Sequence, residues 1–234
     1  MSLKYLLVIG LVVSISGAVV ASELYRTPRV ILKTEIPVAP TTVAYFKVVN
    51  EERDFYISND LMKPKTSLPP NETALKIVEG FVSKRGGLPP DAKLSKVERV
   101  MLKALNVKTG KIIDQKPLFV SIKYKRELNG LPVIGPGDEI EVAVASDILY
   151  YSKKWRRVEY AGRIDIITAK DAFKRFERGS MVNKPMGVAY PLTVYDIKLG
   201  YYSDGKQKYY YPVWIFYCKD RLGNNLKLAV GAVR

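Results

Sequence analysis

The chain of 234 residues contains no histidine and a single cysteine, Cys218. Without imidazole, no Ser-His-Asp triad, Cys-His dyad or histidine-ligated zinc site can be assembled within it. With one thiol there is no intramolecular disulfide, so stability has to come from an apolar core. Cys218 closes the run Trp214-Ile215-Phe216-Tyr217-Cys218, where a buried and inert thiol is expected. No Gly-Lys-Ser/Thr follows Gly135-Pro136-Gly137, which excludes a phosphate loop at that place. Beyond the first two dozen residues, no apolar stretch approaches the roughly 20 residues of a membrane-spanning helix.

The N-terminal segment is the exception. Met1-Ser2-Leu3-Lys4 is a short, positively charged start, and Tyr5 to Ala21 then runs 17 residues without a charge. A signal-peptide core takes about 7–15 apolar residues and a spanning helix about 20, so this run falls between the two. Val19-Val20-Ala21 offers a cleavage site with Ser22 as the new N-terminus. Residues 1–21 are therefore expected to be a signal peptide or a membrane anchor. Lys4 on the near side predicts that the remainder is extracytoplasmic, anchored by residues 5–21 or secreted after cleavage near Ala21.

Lys and Arg number 38 against 23 Asp and Glu, a formal net charge of +15. Outside the cell such a balance suits anionic lipid headgroups, acidic wall polymers or acidic protein surfaces. The expected location argues against nucleic acid as a partner. A solvated, lysine-rich surface accounts for the same charge without any ligand.

Along the chain, residues 22–70 are proline-punctuated and extended, with one strand at Thr41 to Val49 and a loop at 58–70. The spacing of Ala74, Leu75, Val78, Phe81 and Val82 predicts a helix that Asn71 caps and Gly86-Gly87 ends. Asn71-Glu72-Thr73 is also a glycosylation sequon, which the capping role explains without a sugar. Leu94 to Ile167 is mostly strand, clearest at Leu118 to Tyr124 and Glu139 to Ala145, with a basic turn at 153–157. A second helix begins at Thr168, with Asp171 in the capping-box position, and ends at Gly179. Leu192 to Tyr202 and Gln207 to Cys218 form a hairpin across Asp204-Gly205, and Leu226 to Val233 is the last strand. The order predicts an α+β protein with two cystatin-like helix-on-antiparallel-sheet units, 71–167 and 168–234, with or without a shared sheet.

Several phrases resemble the PepSY and thermolysin-type propeptide superfamily, most closely the extracytoplasmic parts of YycI- and YycH-type regulators of sensor kinases. They are Leu88-Pro89-Pro90-Asp91-Ala92, the loop Leu128-Asn129-Gly130-Leu131-Pro132-Val133, Trp155, Thr168 to Ala172, Leu199-Gly200-Tyr201-Tyr202 and Tyr211-Pro212-Val213-Trp214. The resemblance covers about residues 71–234 and rests on turn and packing residues. It implies a membrane-tethered module that binds a partner protein or restrains a protease. It carries over no catalytic residue and no cofactor.

Two clusters are candidate contact surfaces. Lys153-Lys154-Trp155-Arg156-Arg157 sets four cations around an amphipathic anchor that could grip a phosphate or an acidic surface. The tyrosines of the last hairpin, Tyr201, Tyr202, Tyr209 and Tyr211 foremost, suit a protein interface or stacking on polysaccharide. Asp138, Glu139 and Glu141 are the densest acids, but in a strand Glu139 and Glu141 share one face while Ile140 and Val142 take the other, an ordinary solvent-facing alternation. The expected function is thus a non-catalytic regulatory or protein-interaction module, its partner a membrane or envelope protein such as a sensor or a protease. The alternatives are a protease propeptide or inhibitor and a cell-envelope polysaccharide-binding protein. If the basic run is a surface turn, exchanging Lys153, Lys154, Arg156 and Arg157 for Ser weakens partner capture and leaves Tm nearly unchanged.

Overall fold

A computed structural model describes residues 29–183 and 185–234. The expected signal or anchor run at 5–21 lies outside the described residues. Among them, no helix is long and apolar enough to cross a membrane. They cluster into two compact units. The larger holds Ala39–Thr168, Leu199–Trp214 and Gly231–Arg234, and the smaller holds 29–38, Ala169–Lys198 and Ile215–Val230.

The larger unit is built on long antiparallel strands. These are β2 (Thr42–Ile57), β3 (Ala92–Leu105), β4 (Ile112–Leu128), β5 (Leu131–Ile134), β6 (Glu139–Val144), β7 (Ile148–Asp165) and β9 (Tyr209–Tyr210). Their order is β5-β4-β6-β7-β2-β9, with β3 also on β4. Helix α1 (Asn71–Ser83) buries Ala74, Val78 and Val82. It packs with Val120, Ile122, Ile140, Val142, Tyr151 and Trp155, inward-facing residues of β4, β6 and β7. Full burial of such side chains contributes about 1.5–3 kcal/mol each, which outweighs the modest intrinsic stability of a helix this short. Pro70 occupies the N-cap position and no side chain caps the helix, so Asn71 is its first residue rather than its cap.

The smaller unit contains β1 (Val30–Leu32), the first part of β8 (Leu192–Tyr202), and most of β10 (Pro212–Lys219) and β11 (Asn225–Gly231), in the order β11-β10-β8 with β1 parallel on β8. Helix α2 (Ala169–Glu177) lays Phe176 on Phe216, ring centroids 4.4 Å apart. Gly179, at φ +81°, ends it, with Ser180 N–H donating to Arg175 O at 3.0 Å. Cys218 is buried and free.

The expected α+β fold of two cystatin-like units is overturned: the described residues are mostly β, with 53% strand and 11% helix. The reason lies in strand length. β2, β4 and β7 run 16, 17 and 18 residues, about three times the usual 5–6. Charged stretches that look like loops in isolation continue these ladders. The basic run at 153–157 is mid-strand in β7, paired along β2, and acids from other segments neutralise two of its cations: Glu52 lies 2.7 Å from Lys153 and Asp138 3.1 Å from Arg156. The expected strand at 207–218 is likewise broken, since Tyr209 and Tyr210 pair with Lys47 and Phe46 of β2.

Candidate functional site

The larger unit contains a buried polar cluster of five side chains. β4 supplies Arg126, the 135–138 loop Asp138, β7 Arg156, the segment after β8 Ser203, and β9 Tyr210. Asp138 and Ser203 are fully buried, and Arg126 and Arg156 are 2% exposed. The Gly-Pro-Gly loop makes this possible. A Cβ on Gly135 would collide with Ser203 O and one on Gly137 with Ser203 Oγ, so only glycine lets the two segments approach. Asp138 follows at φ +52°, a left-handed conformation that Asp tolerates, and its carboxylate turns inward.

That carboxylate is fully engaged. Arg126 Nη1 donates to Oδ1 at 3.2 Å, Arg156 Nη2 to Oδ2 at 3.1 Å, and the Arg156 backbone N–H to Oδ1 at 3.0 Å. Ser203 Oγ donates to Oδ2 at 3.0 Å, and Tyr210 OH also hydrogen-bonds it. The Arg156 guanidinium lies 4.8 Å from the Tyr210 ring centroid, and that of Arg126 lies 4.7 Å from Trp155. Burial alone would raise the Asp138 pKa, but Arg126, Tyr210 and Arg156 outweigh it and hold the carboxyl below the usual carboxylate range. Burial, then Asp138, raises the pKa of the Tyr210 hydroxyl, so it stays a neutral donor. The cluster sets two cations against one anion, and Asp91 faces Arg126 from its edge.

Beside it opens a pocket of about 440 Å³. Its walls include the Gly86–Asp91 loop, Arg126, Lys153, Trp155 and Arg157. Trp155 is pinned from two directions, by the Arg126 guanidinium and by donating its indole N–H to Asp91 Oδ1 at 3.1 Å. Arg126 Nε lies 2.8 Å from Asp91 Oδ2, yet its N–H has no aligned acceptor. Glu52 pairs with Lys153 at 2.7 Å, and that lysine holds the Glu52 carboxyl below its ordinary range. Both acids on the pocket wall therefore face cations, whereas Arg157 is exposed. Three cations against two acids leave the wall net positive by one. Such a wall suits a carboxylate or phosphate presented beside an indole edge. Among the described residues, no group of three His, Cys, Asp or Glu is placed to hold a metal ion.

The basic run is thus divided by strand alternation. Lys153, Trp155 and Arg157 line the pocket. Arg156 is sequestered with Asp138, and the Nζ of half-buried Lys154 lies against Gly205. Exchanging all four cations for Ser with Tm unchanged is not to be expected once Arg156 is buried in an ion pair. The tyrosines divide too. Tyr201 is buried, its hydroxyl donating to Ala44 O at 2.9 Å, and Tyr202 is half-buried. Tyr209 and Tyr211 stack on each other at 5.7 Å, and Tyr211 stacks on Tyr45 at 5.5 Å. The three rings lean together, with Tyr211 exposed and Tyr45 and Tyr209 half-buried.

The sequence gives Arg126 and Asp91 no candidate role and sets Asp138 only within a solvent-facing acidic cluster. For Asp138 a signal existed: strand alternation sets it in phase with the buried Ile140 and opposite to Glu139 and Glu141. Those two pair with Lys125 and Lys123 at 2.7 and 2.9 Å. For Arg126 there is no local signal, since its role depends on segments far along the chain.

No family model matches the chain, and no curated protein is similar to it. Neither comparison adds to the resemblance to PepSY-type domains. A crystal structure of an uncharacterized protein from Eubacterium rectale is similar over 88% of both chains, at 10% identity and a TM-score of 0.40. A likeness of that strength carries no argument about fold or function.

Proposed function

We propose that this protein is an extracytoplasmic, non-catalytic interaction module that receives an acidic group of a partner protein in the pocket over Trp155. The observation that supports it is the convergence of Arg126, Lys153 and Arg157 on one wall with a pinned indole, backed by a buried and fully paired carboxylate. Pre-organised cations bind an anion without first ordering long side chains, which raises affinity for a given contact. Asp138 is committed to two arginines, and both wall acids are paired, so the surface favours recognition over proton transfer. The sequence resemblance implies the partner class, a membrane-held sensor or a protease. Screened charge contributes much of the attraction, so capture weakens with salt.

The test titrates the full-length protein with a glutamate-rich peptide at low and high salt, following tryptophan emission, and repeats this with K153S/R157S. Both indoles are buried, but Trp155 lines the pocket and Trp214 does not, so a change in emission reports on Trp155. Binding in the wild type that falls at least about tenfold in the variant and at high salt supports the proposal. Unchanged titration in a folded K153S/R157S protein refutes it.

A further inference from the structure

The β3–β4 hairpin carries a second feature, unrelated to the pocket. Every residue from 102 to 116 is exposed, so this end of the ladder is a free two-stranded arm. Its turn is firmly built: Asn106 Oδ1 accepts from the N–H groups of Lys108 and Thr109 at 3.0 and 3.1 Å, and Gly110 N–H donates to Asn106 O at 2.8 Å. A free arm of this kind needs only polar side chains to stay soluble. Instead Val107, at the tip, is 100% exposed, and Leu105, Ile112 and Ile113 are 54%, 51% and 67% exposed. Leu102, 43% exposed, alternates out of phase with Leu105, so apolar side chains leave both faces of the ribbon as well as its tip.

Charge surrounds this apolar end. Lys103, Lys108, Lys111 and Lys116 stand against one acid, Asp114, a net of four minus one, or +3. Asp114 lies 3.7 Å from Lys116. A protein groove would cover one face of a ribbon and leave the other wet. A lipid interface covers tip and both faces together, with lysine stems snorkelling to the phosphates. We infer that the 102–116 arm is a docking element for an anionic lipid surface, inserting Val107, Leu105, Ile112 and Ile113 to the depth of the headgroups. Polybasic segments are drawn to such surfaces by the negative leaflet potential, and apolar side chains then hold them there.

The experiment places a nitrobenzoxadiazole probe on the full-length V107C protein, buried Cys218 being protected from the label. Emission is followed with vesicles of phosphatidylcholine alone and with vesicles that also contain phosphatidylserine. The same probe on E177C, an exposed site on α2, is the control. The expected result is a blue-shifted, brighter V107C probe with phosphatidylserine only, an aqueous E177C probe, and at least about a tenfold weaker response in K103S/K108S/K111S/K116S. Residues 5–21 can bring the protein to vesicles without moving the tip. A V107C probe that stays aqueous on vesicle-bound protein therefore overturns the inference. So does an equal response at both sites, or a response that requires a protein partner instead of lipid.

Discussion

Arg156 and Arg157 are adjacent cations in one basic run, and replacing them should have very different consequences. In R156M the aliphatic stem is kept, while Asp138 loses one donor, the side-chain Nη2 contact at 3.1 Å, and with it one of its two compensating cations; the backbone N–H of residue 156 still donates. Ser203 and Tyr210 lose a shared partner as well. Removing one member of a buried pair leaves an uncompensated charge and costs about 3–5 kcal/mol. For a protein of this size each kcal/mol shifts Tm by about 2–4 °C, so R156M should melt about 6–20 °C below wild type. R157S removes an exposed side chain and should stay within about 0.5 kcal/mol of wild type. In D138N/R156M the orphaned charge is gone, so its loss should be smaller than the sum of the two single losses. Urea and thermal denaturation followed by circular dichroism measure wild type, R156M, R157S, D138N and D138N/R156M. An R156M stability within about 1 kcal/mol of wild type, or an R157S loss as large as that of R156M, would refute the buried-pair argument.

Acid should act through the same cluster. The native Asp138 pKa is depressed, so the unfolded chain takes up its proton first, near pH 3.9, and the stabilisation present above that pH is lost as pH falls toward the native value. Urea midpoints measured through the acid range should therefore fall less steeply in D138N than in wild type, and parallel curves would count against it. Burial pushes the Cys218 thiol up to about 12, so in the native protein it should resist Ellman's reagent at neutral pH and react fully in denaturant. Fast native labelling would show that β10 opens.

Features set by neighbours in the chain were legible without coordinates. The helix over 71–83 followed from its apolar spacing and the glycine pair after it. The buried thiol at Cys218 followed from the apolar run around it, and the absence of histidine limits catalysis whatever the fold. What tertiary structure alone decided was the meaning of charged residues. Lys153 to Arg157 looks like a surface turn because a lone strand contains nothing to neutralise it. Only the pairing with β2 and the turn before β6 bring Glu52 to Lys153 and Asp138 to Arg156, and let the run continue as a strand. Alternation then sends Arg156 to Asp138 and Arg157 to the pocket mouth, so one run of like residues becomes part core and part contact surface. Periodicity reports which residues share a face, but the cost of burying a charge depends on partners that folding brings from elsewhere in the chain.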